Sequence, residues 1–246
     1  MAVIFVAGDR PMDKQSILTS SNQIGDSKQC SSRLFEQFVA RLGWEVNLNK
    51  HDYYAGGLAN VSTTAPYYCT ATTEILFHVS TRSMGDGDWT KKLRHIGNDE
   101  IHIVWCENIV DYRRNIIPTE FCDFLIVIYP LTNFRDDQSP ALFRIQIDEK
   151  SSLNVESDNY IGGAAPIGPL FDGALVDWSL LAPLVRATAL NASRAKKTSV
   201  TSKAADAHDF VEHRFEAFEN LASKMENGGY QTSYNETIKK LWNIRN

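Results

Sequence analysis

The sequence predicts an α/β fold, a central mixed β-sheet flanked by helices with further helices at the C-terminus, and three observations carry that prediction. Helical periodicity and strand-like runs alternate along the chain, as layered α/β domains require. Residues 124–130 form an unbroken apolar run of the kind found in a central strand covered on both faces. Residues 142–148 then alternate apolar and polar side chains, as a neighbouring strand would. At 246 residues and 43% hydrophobic content, the chain can bury a substantial core. Its formal net charge of -5 gives no general reason to expect nucleic acid or an anionic membrane as partner. The four cysteines are widely spaced, with no Cys-x-x-Cys pair, which argues against a zinc site or a disulfide framework and for a reduced, cytoplasmic setting.

Taken in order, residues 1–7 read as a first strand, cut off by Asp9 and Arg10 and too short for a membrane span. Residues 8–32 are polar with little periodicity and read as an extended connection holding a short contact through Ile17 and Leu18. Leu34, Phe35, Phe38, Val39 and Leu42 keep helical spacing, and Gly43 supplies a stop before a strand at 44–48. Residues 51–66 are a loop by composition, and Pro66 precedes a strand pair that ends at 74–80. A charged turn at 84–88 leads into a short helix that Asp88 or Thr90 would cap. Beyond the next strand, residues 108–114 are a polar connection. The strands at 124–130 and 142–148 are joined by a turn through 133–140, and a Ser, Asn, Gly and Pro-rich loop fills 149–169. Pro183 fits the first turn of a helix running through Arg194, and residues 196–207 read as a small polar linker. Phe210, Phe215, Phe218 and Leu221 mark a longer helix; Ile238, Leu241 and Trp242 mark a last short one. The expected organisation is one domain over 1–246, with a leading strand and connection at 1–32, a core at 33–195 and C-terminal helices at 206–244.

The polar chemistry concentrates where the periodicity changes. Trp89, Leu93 and Ile96 recur at the spacing of one apolar helix face, while Lys91, Arg94, His95 and Asn98 fall on another. Gly97 lies where such a helix should stop, and Ile101, Ile103 and Trp105 then keep strand alternation. Asn98 is therefore expected at a helix-to-strand corner, on a positive stripe to which Lys92 also contributes. Its carboxamide is neutral and offers both a donor and an acceptor. On spacing alone, a Gly-Asn-Asp corner is read first as a simple turn of the chain. No competing constellation stands out: the chain has no Gly-x-Ser-x-Gly elbow, no phosphate-binding Gly-x-x-x-x-Gly-Lys loop and no His-Glu-x-x-His. His95 and His102 lack acidic or cysteine partners at metal-ligand spacing, so no metal site is read.

The run Arg94-His95-Ile96-Gly97-Asn98-Asp99, followed by Ile101-His102-Ile103-Val104-Trp105, resembles the signature of the Rap-GAP/tuberin-type GTPase-activating domain. Gly43-Trp44-Glu45-Val46-Asn47-Leu48, Phe77-His78-Val79-Ser80-Thr81-Arg82, Asp111-Tyr112-Arg113-Arg114, Ile117-Pro118-Thr119-Glu120-Phe121 and Gly168-Pro169-Leu170-Phe171-Asp172-Gly173 are similar to the branch formed by catalytic alpha subunits of Ral GTPase-activating complexes. The resemblance covers roughly residues 1–200 in order and implies a GTPase-like sheet with helices.

The resemblance further implies that Asn98 acts as an asparagine thumb inserted in trans beside the GTP of a Ras-like partner, where its carboxamide orients the attacking water. His95 would support it. Lys91, Lys92 and Arg94 would dock the GTPase together with Asp99, which could also hold the corner by bonding backbone amides. Arg94 is the rival catalytic group, because an arginine supplied in trans can stabilise transition-state charge. Arg113 and Arg114 would dock a partner or anchor a loop on Asp111. The chain needs no cofactor of its own on this reading, since GTP and magnesium belong to the partner. Ral is the expected GTPase, with Rheb and Rap as alternatives, and a beta subunit is an expected partner. The long helical-repeat region that precedes this domain in the family is missing from this chain. A non-enzymatic domain that binds a GTPase or a sister subunit remains the second class of function.

Overall fold

The computed structural model describes residues 1–19, 32–59, 61–82, 89–131, 142–150 and 167–203. The chain divides into two compact units, Met1–Lys196 and Lys197–Asn246. The helices expected at 206–244, the turn at 133–140 and the Asp88 cap lie outside the described residues.

A six-stranded mixed sheet organises the first unit. Its strands are β1 (Ala2–Val6), β5 (His78–Val79), β6 (Ile101–Cys106), β7 (Phe124–Pro130), β8 (Leu142–Glu149) and β9 (Leu175–Asp177), in the order β5-β1-β6-β7-β8-β9. The first four of that order run parallel; β8 is antiparallel to β7, and β9 to β8. A second, antiparallel sheet joins β2 (Trp44–Asn47), β3 (Thr64–Thr70) and β4 (Thr73–Leu76). The expected central strand is β7, paired on both sides.

Strand alternation splits the core into two layers. Val3 and Phe5 of β1, Ile103 and Trp105 of β6, and Ile126 and Ile128 of β7 face one side, against Phe35, Phe38 and Leu42 of α2 (Arg33–Leu42) and Leu181, Val185 and Ala189 of α4 (Trp178–Lys203). Ile4, Val104 and Val127 face the other side, against Ile17 and Leu18 of α1 (Lys14–Leu18) and Ile96 of α3 (Trp89–Gly97). Trp105 is fully buried among Phe35, Phe38, Phe143 and Trp178, with ring centroids 5.2–6.5 Å away.

Several expectations change on contact with the fold. The stretch read as an extended connection contains α1, whose first turn is capped by Asp13 Oδ1 accepting from Gln15 N and Ser16 N at 2.9 and 3.0 Å. Five residues are too few for periodicity to register. Gly43 ends α2 with extended backbone rather than a left-handed turn, and it is needed for space: a Cβ there would lie 2.4 Å from Tyr67 O. The run at 74–80 breaks at Phe77, so that β4 serves the small sheet and β5 the large one. Thr90 is inside α3, not its cap. Pro183 lies in the second turn of α4, which costs one helical hydrogen bond, and α4 continues to Lys203 through residues read as linker.

Candidate functional site: the Asn98 corner

α3 lies on the sheet through Ile96, with Trp89 and Leu93 packed alongside. Lys91, Arg94 and Asn98 remain exposed. Lys92 does not join them. It stands three residues after Trp89 and four before Ile96, on the apolar face, where it is 7% exposed and donates from Nζ to Ser80 O at 2.7 Å. Burial pulls its pKa down to about 8. The sequence reading followed its charge; its position on the helix decides its environment.

The helix ends without a left-handed glycine, because its last carbonyls find other donors. His95 O accepts from Asn98 N at 3.3 Å, and Ile96 O accepts from Asp99 N at 3.2 Å. Ile96 O also takes the ring N–H of His102 at 3.0 Å, and Gly97 O takes the hydroxyl of Thr119. His102 is 2% exposed, and burial lowers its pKa to about 4, so the ring is a neutral donor. The backbone of the corner is thus held from β6 and from the loop before β7.

Asp99 is anchored rather than presented. Its Oδ1 lies 3.0 Å from the Met1 nitrogen and its Oδ2 lies 2.7 Å from His78 Nδ1, with the side chain 13% exposed. It does not bond backbone amides of its own corner, as the sequence suggested; its partners are brought by β1 and β5. Burial alone would raise its pKa, but the Met1 amino group and the His78 hydrogen bond outweigh that and hold it below the usual carboxylate range. His78 Nε2 lies 2.8 Å from Gly56 O. Both ring nitrogens of His78 therefore face oxygen acceptors, one on the Asp99 carboxylate and one on the Gly56 carbonyl. Gly56 adopts φ +57°, and a Cβ there would come 2.7 Å from Leu76 Cδ2 and 3.1 Å from His78 Nε2.

These groups line a cleft of about 510 Å³, whose lining includes Tyr54, Gly56 and Gly57 together with His78, Arg94, His95, Asn98 and Asp99. His95 stacks obliquely near His78, with ring centroids 5.8 Å apart. Burial, then the His78 and Arg94 charges, lower its pKa below the usual histidine value against the opposing pull of Asp99. Among the described residues, neither the Asn98 carboxamide nor the Arg94 guanidinium has a side-chain hydrogen bond or ion pair. Of the expected site residues, Asn98, His95, Arg94 and Asp99 share the cleft, and Lys91 stands exposed on the same helix. Arg114 is bound away from it, to Asp148 Oδ2 at 2.9 Å and Cys122 O at 2.5 Å, while Asp111 pairs with Arg144 at 2.8 Å.

His78, Tyr54, Gly56 and Thr119 have no role in the sequence reading. His78 and Thr119 lie inside motifs quoted above, but their partners stand 21 and 22 residues away.

The Rap/ran-GAP family model matches residues 24–223. Over 92% of its length the chain is 45% identical to human Ral GTPase-activating protein subunit alpha-1, of which it covers 10%. It is 37% identical, over 99% of its length, to a probable Rho GTPase-activating protein of Drosophila melanogaster, of which it covers 11%. The chain therefore spans about a tenth of the length of these curated relatives. Its fold is similar to the solved structure of the TSC2 GAP domain, with TM-score 0.63 and 23% identity, covering 81% of this chain and 97% of that one.

Proposed function

The chain belongs to the Rap/ran-GAP family, and from that premise we propose that it accelerates GTP hydrolysis by a Ras-like small GTPase, with Asn98 orienting the attacking water in trans. Hydrolysis of bound GTP waits on placing one water in line with the γ-phosphorus and on stabilising charge at the phosphoryl oxygens. The GTPase holds its own nucleotide and magnesium. A carboxamide can accept a proton of that water through its oxygen and donate toward the γ-phosphate through its NH₂, without changing protonation. The observation that carries this reading is the contrast at Asn98: a backbone tied at residues 97, 98 and 99 beneath a side chain that is exposed and unbonded among the described residues. A group held in this way loses little entropy when it enters a partner's site.

His95 flanks the thumb one turn earlier and is neutral at pH 7, so it serves as a contact for the thumb rather than a cationic clamp. Lys91 and Arg94 supply positive charge for docking an acidic surface of the GTPase. Ral is the substrate favoured by the 45% identity to a Ral GTPase-activating subunit, and that relationship also makes a beta subunit the favoured partner. The test is single-turnover hydrolysis by Ral, Rho, Rheb and Rap, each preloaded with GTP, in the presence of the chain. Acceleration of Ral above the others is expected. Binding of a GTPase without acceleration of any, with or without a beta subunit, would replace the catalytic reading by that of an interaction domain.

A further inference from the structure

Asn98 sits between two residues that are each tied to a separate part of the molecule. On one side, Gly97 O accepts the Thr119 hydroxyl. That hydroxyl has a fixed direction, because Thr119 Oγ1 also accepts from Phe121 N at 3.1 Å, which leaves its own proton for the Gly97 carbonyl. On the other side, Asp99 is held by His78, whose second nitrogen is bound to Gly56 O, another residue of the cleft lining. The two ties approach from different elements: Thr119 from the loop between the 3-10 turn Arg114–Ile116 and β7, and His78 from β5.

We propose that Thr119 and His78 are positioning residues that clamp Gly97 and Asp99 on either side of Asn98 and so set the direction of its carboxamide; this rests on Asn98 being the catalytic group. Neither residue would touch the reacting atoms. Thr119 is the sharper test, because replacement by valine keeps the shape and removes only the hydroxyl, whereas serine keeps the hydroxyl.

The experiment compares wild type, Thr119→Val, Thr119→Ser and His78→Ala as full chains with the GTPase that responds to wild type, reading the maximal single-turnover rate and the half-saturating concentration separately. Removal of the hydroxyl takes away its bond to the Gly97 carbonyl, which is part-buried, and the bond it accepts from Phe121 N, and should lower the maximal rate of Thr119→Val about tenfold while leaving half-saturation within about twofold. Thr119→Ser should restore the rate. For His78→Ala a similar loss is expected, recovered in part by added imidazole, which can enter through the cleft. Unchanged maximal rates, or a loss confined to half-saturation, would overturn the clamp. Amide hydrogen exchange at Asn98 and Asp99 reads the same clamp without a GTPase: exchange about tenfold faster in Thr119→Val, with the rest of the sheet unchanged, is expected. If no GTPase responds to wild type, the catalytic reading fails while exchange still decides the clamp; unaltered exchange at both amides would overturn it.

Discussion

Asn98 carries one carboxamide on a fixed backbone, and the residues around it divide by whether they face the cleft or the core. Lys92 faces the core, so its replacement by methionine should alter stability and leave GTPase affinity and maximal rate unchanged. Arg94→Ala should weaken affinity, and more so at low salt, while Lys91→Ala should cost under about 1 kcal/mol of binding, as exposed charges do. Titrating binding at two salt concentrations separates the three. His95 gives a second prediction. Its pKa lies below the ordinary value of 6.5, so it stays neutral as pH rises from there, and acceleration should show no step between pH 6.5 and 8. A step that vanished in His95→Gln would assign proton chemistry to His95 instead.

At the scale of the element, α3 shows how a helix terminates on borrowed donors. Since Gly97 needs neither a left-handed φ nor space, its replacement by alanine should be tolerated and should raise stability by about 0.5 kcal/mol through helix propensity. The nearest atom to the added Cβ would be Leu93 Cδ1 at 3.9 Å. Gly56→Ala should do the reverse, losing more than about 1 kcal/mol, because φ is positive there and the added carbon meets Leu76 and His78. Denaturant unfolding of the pair is the check. His102 makes the helix end sensitive to acid. In the unfolded chain the ring takes a proton as pH falls through about 6.5, whereas the buried ring resists until about 4, so stability falls across that interval. The displacement is worth about 3 kcal/mol, and His102→Gln should flatten the dependence.

On the scale of the whole molecule, the cleft opens at the N-terminal ends of the parallel strands: His78 begins β5, Met1 precedes β1 and Asn98 precedes β6. Open α/β sheets that hold a nucleotide of their own use the opposite, carboxyl ends. That placement accords with the proposal that the nucleotide acted on is held by a partner GTPase. β1, β6 and β7 were legible in the sequence because their strands are apolar on both faces, and α3 because its apolar stripe is short but regular. The sequence also brought Asn98, His95 and Arg94 together, since they lie within one turn of each other. It could not show His78 or Thr119, whose bonds to the corner span 21 and 22 residues, nor the burial of Lys92, because charge suggested a surface that helical position denied. Sheet order and the two clamps are long-range pairings, and local periodicity carries no information about them.

The Asn98 carboxamide is the proposed activating group. It is tested most directly by single-turnover GTP hydrolysis with Asn98→Ala and Arg94→Ala at saturating concentrations of each variant. The account predicts that Asn98→Ala folds and binds the GTPase as wild type does but loses about 10²-fold or more in maximal rate, while Arg94→Ala recovers nearly the full rate once saturated. A full rate from Asn98→Ala, with the loss confined to Arg94→Ala, would contradict it and assign catalysis to the arginine.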